Sequence, residues 1–382
     1  ICSATILFAR SINSSTNLCV SFLSFFTIFI GFLCVLMSCT TKDDSEFKAQ
    51  FMAYKALFID GGRVIDTGNG DVSHSEGQGY GMLFAIAADD KETFDALWQW
   101  TKSTLMRKDG LFSWRYRPCT GSPSSCIDDP NNASDGDLLI AWALLRASEK
   151  WGVNELKEDA RNIVGAIEST LLVKYDKAVL LLPGEYGFSV KSDEITSMQL
   201  NMSYWIFPAL SELSSLSSTP SKWDNLFETG LFLLLNMQFS SYRLPSDWVR
   251  FEPQRGDIDN DKFKSKLTLE NVISPEFGFN AVRIPLQLVW SESVRDDNEL
   301  AEKLLEPYYK WWALEPTPAT INLLTEQTAE YEMTDGMRSV KLAVDEIMNS
   351  KAAKWPTVNR KMDYYSASLT LLSMLAVADN AS

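Results

Sequence analysis

Histidine is nearly absent from this sequence: 382 residues contain one, His74. Cysteine is scarce too, and beyond residue 40 only Cys119 and Cys126 remain. Most zinc sites need several of these residues, and a Ser-His-Asp triad needs a histidine, so both chemistries have little material here. Basic residues number 35 against 50 acidic ones, a net charge of −15. Phosphate binding needs clustered Lys and Arg, so this balance argues against nucleic acid as a partner. Repeats and low-complexity linkers are missing, and strand-like alternation is scarce. What the chain has in quantity is carboxylate, which leaves Asp and Glu as its natural acid–base agents.

One hydrophobic run stands out. Residues 19–37 are almost unbroken in their apolar character, follow Arg10, and are numerous enough to span a bilayer. The run ends Leu36-Met37-Ser38-Cys39. That edge resembles the bacterial lipoprotein cleavage box, in which a small residue precedes the Cys that becomes the lipidated N-terminus. Residues 1–38 are therefore expected to be a lipoprotein signal peptide and Cys39 the lipidation site, with an uncleaved anchor helix as the alternative. Both readings export the rest of the chain. The polar stretch after Cys39 makes residues 39–48 a tether and residues 49–382 the folded domain. Thr40, rather than Asp, directly after Cys39 favours the outer membrane or cell surface. In an oxidising compartment Cys119 and Cys126 could close a loop disulfide; two free thiols are the alternative.

Helical periodicity dominates the body. Phe94, Leu97, Trp98, Thr101 and Leu105 line one face, as do Leu156, Ala160, Ile163, Val164, Ile167 and Leu171. Further helical stretches fall near 77–88, 137–151, 203–216, 222–238, 279–291, 296–312, 318–330, 336–349 and 363–378. The expectation is an all-α domain of eleven or twelve helices joined by long loops, and loops of that length are often functional.

Two carboxylate motifs sit at predicted helix entries. In His74-Ser75-Glu76-Gly77-Gln78-Gly79-Tyr80-Gly81-Met82, three glycines after Glu76 indicate a close-packed helix start. They place the carboxylate near the N-terminal backbone donors; the alternative is a capping Glu in a tight turn. In Asn131-Asn132-Ala133-Ser134-Asp135-Gly136-Asp137, ordinary N-capping explains one Asp. It does not explain two separated by a Gly, unless one of them faces a cleft.

The stretch Ala133-Ser134-Asp135-Gly136-Asp137, continuing through Ile140-Ala141, Ala143-Leu144-Leu145 and Ala147 to Trp151, is similar to the signature of glycoside hydrolase family 8. Gly62-Arg63-Val64-Ile65-Asp66 followed by Ser75–Met82 matches that family's other hallmark in order and spacing. Phe94, Trp98, Trp100, Leu182-Pro183-Gly184, Gly187-Phe188, Ser203-Tyr204 and Pro245-Ser246-Asp247-Trp248-Val249-Arg250 continue the likeness. It covers essentially the whole body and is strongest toward bacterial endoglucanases, including those encoded alongside cellulose synthases.

The resemblance implies an (α/α)6 barrel with a substrate groove across one end. It implies hydrolysis of β-1,4 bonds with inversion, a proton donor and a water-activating base standing on either side of the bond. By position Glu76 is the expected acid, held protonated until it donates. Asp135 is expected to grip and distort the central sugar, Tyr204 and Arg283 to contact that sugar or the attacking water, and Trp114 to stack on a glucose ring unless it is a core tryptophan. One position departs from the pattern. Many members carry their base as Asp in Tyr/Phe-Asp-Ala-x-Arg, and here the segment reads Phe279-Asn280-Ala281-Val282-Arg283. Asn cannot accept a proton at neutral pH, so Asn280 is expected only to bind substrate. A subset of the family with Asn here takes its base from a nearby loop Glu. Glu270 is the first expectation, Glu276 the second and Asp247 the third. The expected activity is an endo-β-1,4-glucanase without cofactor, its substrate a β-glucan polysaccharide and its wider partner the cellulose-synthesis machinery. The alternatives are a xylanase, chitosanase or lichenase, or a silent sugar-binding lipoprotein, which rests on Asn280 alone.

Overall fold

Two kinds of helix alternate along the chain in the computed structural model, which describes residues 41–175, 177–192, 195–253 and 265–381. Cys39 and the expected signal peptide, residues 1–38, lie outside the described residues. In chain order the helices are α1 (Thr41–Phe58), α2 (Ser75–Ala87), α3 (Lys91–Thr104), α4 (Ser134–Trp151), α5 (Asn154–Thr170), α6 (Phe207–Leu213), α7 (Pro220–Asn236), α8 (Ile284–Trp290), α9 (Glu292–Arg295), α10 (Asn298–Trp312), α11 (Asp335–Asn349) and α12 (Tyr364–Ala381). Helices α2, α4, α6, α8 and α12 are buried on nearly every side. Helices α3, α5, α7, α10 and α11 bury one stripe only. A helix buried all round belongs to an inner layer and an amphipathic one to an outer layer. From α2 to α10, the four-residue α9 aside, the two kinds alternate as in the expected (α/α)6 barrel, and the amphipathic α10 and α11 then follow one another.

Helix α1 begins at Thr41, inside the segment 39–48 read as a tether. Phe47, Phe51, Tyr54 and Phe58 follow at helical spacing and are buried, so the compact body starts at Phe47. The helix expected at 318–330 does not form. Ala319, Ile321 and Leu323 are the buried positions there, an alternation of period two. Ile321–Asn322 pairs as a strand with Glu276–Phe277.

Strand structure is also richer than the pattern suggested. A four-stranded antiparallel sheet runs in the order Ser265–Thr268, Val249–Pro253, Ile195–Leu200, Ser189–Ser192. Its two central strands meet with Val249 opposite Leu200. The chain just before Val249 and just after Leu200 therefore emerges side by side, which carries Asp247 and Tyr204 to one place. A second sheet joins Ser73–His74 to Ser113–Tyr116 and Ile127–Asn132, with His74 opposite Arg115. Cys119 and Cys126 form a disulfide across the end of that hairpin, their Cα atoms 5.5 Å apart.

Two of the inner helices touch where they start. A Cβ at Gly79 would lie 2.5 Å from Leu139 Cβ, and one at Gly136 would lie 2.8 Å from the backbone N of Glu76 and collide with the Ser75 side chain. The N-terminal ends of α2 and α4 can approach this closely only because neither position carries a side chain. Gln78 fixes the entry from below: its amide accepts from Val64 N at 2.5 Å and donates to Thr101 Oγ1 at 2.8 Å and Gly62 O at 3.2 Å.

Candidate active site

The close start of α2 and α4 sets Glu76 beside Asp135. Glu76 does not cap its helix. That task falls to His74, whose Nδ1 accepts from Gly77 N at 3.2 Å while its Nε2 faces Asp66 Oδ2 at 3.5 Å. Glu76 is left free to turn inward. Its Oε1 accepts a hydrogen bond from the Tyr80 hydroxyl, one helical turn on, at 2.8 Å and forms an ion pair with Arg283.

Asp135 is not a cap either, because the residue at the N-cap of α4 is Ala133. Its carboxylate accepts from Gly136 N at 2.8 Å and stands 3.8 Å from Arg283 Nη1. Burial pushes its carboxyl up to about 7. Asp137 resolves the doubled-Asp motif. It points away from the cleft, accepts from Phe112 N at 2.9 Å and from Asn132 Nδ2 at 2.7 Å, and is likewise pushed up by burial to about 7. One Asp of the pair serves the cleft and the other ties down the hairpin that carries Trp114.

Arg283 is the hub. It is buried, which pushes its guanidinium below the ordinary range. Besides Glu76 and Asp135 it meets the Tyr80 hydroxyl at 3.1 Å, Ser203 Oγ at 2.8 Å and Asn280 Oδ1 at 2.9 Å. Ser203 is held in turn by Asn201, which accepts from its N–H and its hydroxyl. Tyr204 follows, half-buried, its ring edge-on to Trp248 at 6.2 Å, and Trp248 stacks on Phe188 at 5.6 Å. These rings give the cleft an aromatic wall. Opposite them Tyr365 donates to the Phe279 carbonyl and packs on that exposed ring at 5.5 Å.

Asp247 closes the circle. It is 6% exposed, and its Oδ1 accepts from the backbone N–H groups of Gly278, Asn280 and Ala281 at 3.0, 3.1 and 2.7 Å. Burial pushes its carboxyl up to about 6 against those bonds.

The structure thus brings Glu76, Asp135, Asn280 and Arg283 together, with Tyr204 beside them. It does not bring in Glu270, which is exposed beyond the edge strand with its N–H on Thr268 Oγ1. Glu276 is half-buried and contributes a carbonyl that accepts from Asp247 N at 2.6 Å. Trp114 is not a core residue: it is half-buried on its strand with the Arg115 guanidinium 4.5 Å from its ring, one position from the pairing of Arg115 with His74. Tyr80 and Ser203 went unremarked as site residues. Tyr80 had a signal, its i+4 spacing from Glu76; Ser203 is placed by a contact across 80 residues.

Residues 26–379 match the family model for glycosyl hydrolases family 8. An endoglucanase of Cellulomonas uda is 39% identical over 300 residues, covering 78% of this chain and 75% of its own. Among solved structures, a family 8 endoglucanase of Klebsiella pneumoniae superposes with a TM-score of 0.75 at 37% identity, covering 86% of this chain and 99% of that one. An endo-β-1,4-glucanase of Acetobacter xylinum does so with a TM-score of 0.76 at 33% identity, covering 89% and 100%.

Proposed function

Because the chain belongs to glycosyl hydrolase family 8, we propose that this cleft cuts internal β-1,4 bonds of a cellulose-like glucan, with Glu76 as the proton donor. The observation that carries this reading is the meeting of Glu76 and Asp135 at one arginine, in a cleft walled by aromatic rings. Aromatic faces suit the apolar faces of glucose rings, and buried carboxylates suit their hydroxyls.

In the free protein Glu76 accepts hydrogen bonds, so acid catalysis requires that it carry a proton in the complex. A glucan lying between Glu76 and the aromatic wall presents its glycosidic oxygen to that proton. The C–O bond breaks as a water adds to the anomeric carbon from the opposite face, and the configuration inverts. Asp135 grips the sugar at the point of cleavage, and Arg283 and Tyr204 steady the charge and the water around it.

The test is reducing-sugar release from carboxymethyl-cellulose and mixed-linkage glucan by residues 40–382, with Glu76→Gln alongside. Release that vanishes in the variant, with the α-anomer appearing first by NMR, is the expected result. No release from either polymer by the wild type would sink the reading.

The export and lipid anchoring expected from residues 1–39 complete the proposal. They would place the enzyme at the outer membrane or cell surface, where glucan leaves the cellulose-synthesis machinery of the same cell. Labelling of whole cells with radioactive palmitate, lost on Cys39→Ala, is the expected outcome; label that persists in the variant would remove the anchor from the proposal.

A further inference from the structure

Asn280 stands at the position that the resemblance gives to the water-activating base, and its amide cannot take the proton. Among the described residues three aspartates and no glutamate are buried: Asp135, Asp137 and Asp247. Asp137 is spent on Phe112 N and Asn132, away from the cleft. Asp135 and Glu76 both stand against the same Nη1 of Arg283. Their nearest oxygens are therefore closer than the roughly 6.5–9.5 Å that leaves room for a water between acid and base.

Taking Glu76 as the donor, we propose that Asp247 is the catalytic base, its Oδ2 receiving the proton of the water that attacks the anomeric carbon. Three features carry this. The first is connection: the Asn280 N–H donates to Asp247 at 3.1 Å and its side-chain oxygen accepts from Arg283 at 2.9 Å. Asn280 and Arg283 thus both stand between Asp247 and Glu76, where Arg283 alone stands between Asp135 and Glu76. The second is preparation of the carboxylate. All three backbone donors end on Oδ1, which locks the rotamer, and Oδ2 lies over Gly278. A Cβ at that residue would stand 2.7 Å from Oδ2, so a glycine there keeps the second oxygen uncovered. The third is setting: Asp247 is followed directly by Trp248, whose ring meets Tyr204 edge-on at 6.2 Å and stacks on Phe188, so the residue stands at the aromatic wall of the cleft. Burial that raises its carboxyl toward neutrality makes it a stronger base while leaving it largely ionised at pH 7.

The step balances. Water loses one proton to Asp247 Oδ2 as its oxygen bonds the anomeric carbon, the bond to the leaving oxygen breaks, and Glu76 delivers one proton to that oxygen. Two hydrolysed ends result, and the two carboxyls have exchanged charge. In this arrangement Asn280 orients the water and the Asp247 carboxylate without titrating.

Four variants decide the matter: Asp247→Asn, Asp247→Glu, Asp247→Asn with Asn280→Asp, and Glu270→Gln, each checked for thermal unfolding and cello-oligosaccharide binding. Asp247→Asn is expected to lose about 10²–10⁴-fold in kcat with binding held, and azide is expected to restore part of the rate by yielding a glycosyl azide. The double variant is expected to regain turnover, because the carboxylate returns to the position of Asn280. Should Asp247→Asn fail to fold, Asp247→Glu keeps the acceptor, and the acidic limb of its kcat/KM profile must move. Wild-type turnover in Asp247→Asn, no azide rescue of a folded variant, an unmoved limb in Asp247→Glu, or loss of turnover in Glu270→Gln alone would overturn the assignment. Failure of this inference is separable from failure of the hydrolase reading, since Glu76→Gln tests the latter by itself.

Discussion

Two arginines, the half-buried Arg146 and the buried Arg283, are built into this barrel from the same ingredients and come to opposite ends. Arg146 sits eleven residues beyond Asp135 on α4, about 16 Å along the helix. Its Nε and Nη2 donate to Glu212 at 3.1 and 2.6 Å, and its Nη1 donates to Asp379 at 2.5 Å. The guanidinium lies 4.3 Å from the ring of Trp142. Each carboxylate also receives an indole N–H, from Trp142 at 2.7 Å and Trp290 at 2.9 Å. The group ties α4, α6, α8 and α12 together with each guanidinium nitrogen bonded to a carboxylate, and against the lowering effect of burial those partners raise the guanidinium. Arg283 divides the same donors among Glu76, Asp135, Tyr80, Ser203 and Asn280, and burial lowers it instead. A planar cation with two carboxylates to itself is a staple. The same cation with one nitrogen, Nη1, shared among Glu76, Asp135 and Tyr80 leaves carboxylate lone pairs facing a cleft, and that shortfall is where a substrate can bind.

The largest effect is expected from Glu76→Gln: kcat falling by about 10³-fold or more with the melting temperature little changed. Next comes Arg283→Lys, expected to cost about 10²-fold in kcat/KM, since a point charge cannot replace a fork that reaches five groups. Arg146→Met should do the reverse, leaving kcat near wild type while costing about 3–5 kcal/mol in urea unfolding. Equal losses of activity in the two arginine variants would erase the distinction.

A smaller effect concerns pH. Asp137 has no arginine of its own, and its folded carboxyl, at about 7, lies well above the unfolded value. Between those values the folded state holds more protons than the unfolded one, so its contribution to stability is full below about pH 4 and is lost as pH rises through 7. Asp137→Asn should flatten that decline in unfolding free energy between pH 4 and 7; an unchanged slope would mean that the carboxyl is not raised. The smallest effect should come from the Cys119–Cys126 bridge, which belongs to neither arginine. Replacing both cysteines with Ser should cost about 2 kcal/mol by loop closure, with turnover held.

Much of the outer layer was legible because its helices repeat apolar residues at helical spacing, and both carboxylate motifs were legible because they lie at helix entries. The face of Phe94, Leu97, Trp98 and Thr101 is buried as expected. What escaped was of two kinds. Short elements misled: residues 318–330 have enough apolar character for a helix, but their buried positions alternate, and the strand partner that decides the matter lies some 45 residues earlier. Polar 39–48 read as a tether because only Phe47 in it hints at the stripe that continues through Phe58. The other kind was long-range. Asp247 reaches Asn280 across 33 residues, and Arg146 reaches Asp379 across 233. No local pattern marks such pairs, which is why nearness in sequence favoured Glu270 over Asp247.

The bare crossing at Gly79 and Gly136 bears on how this protein can change over generations. The gap between Glu76 and Asp135 is set where two glycines let the helix starts touch, with no side chain of their own to trim or enlarge. Even alanine, the mildest replacement, would collide there. Lineages descended from this scaffold can exchange the rings and loops around the cleft, while the spacing of these two carboxylates is inherited whole or lost.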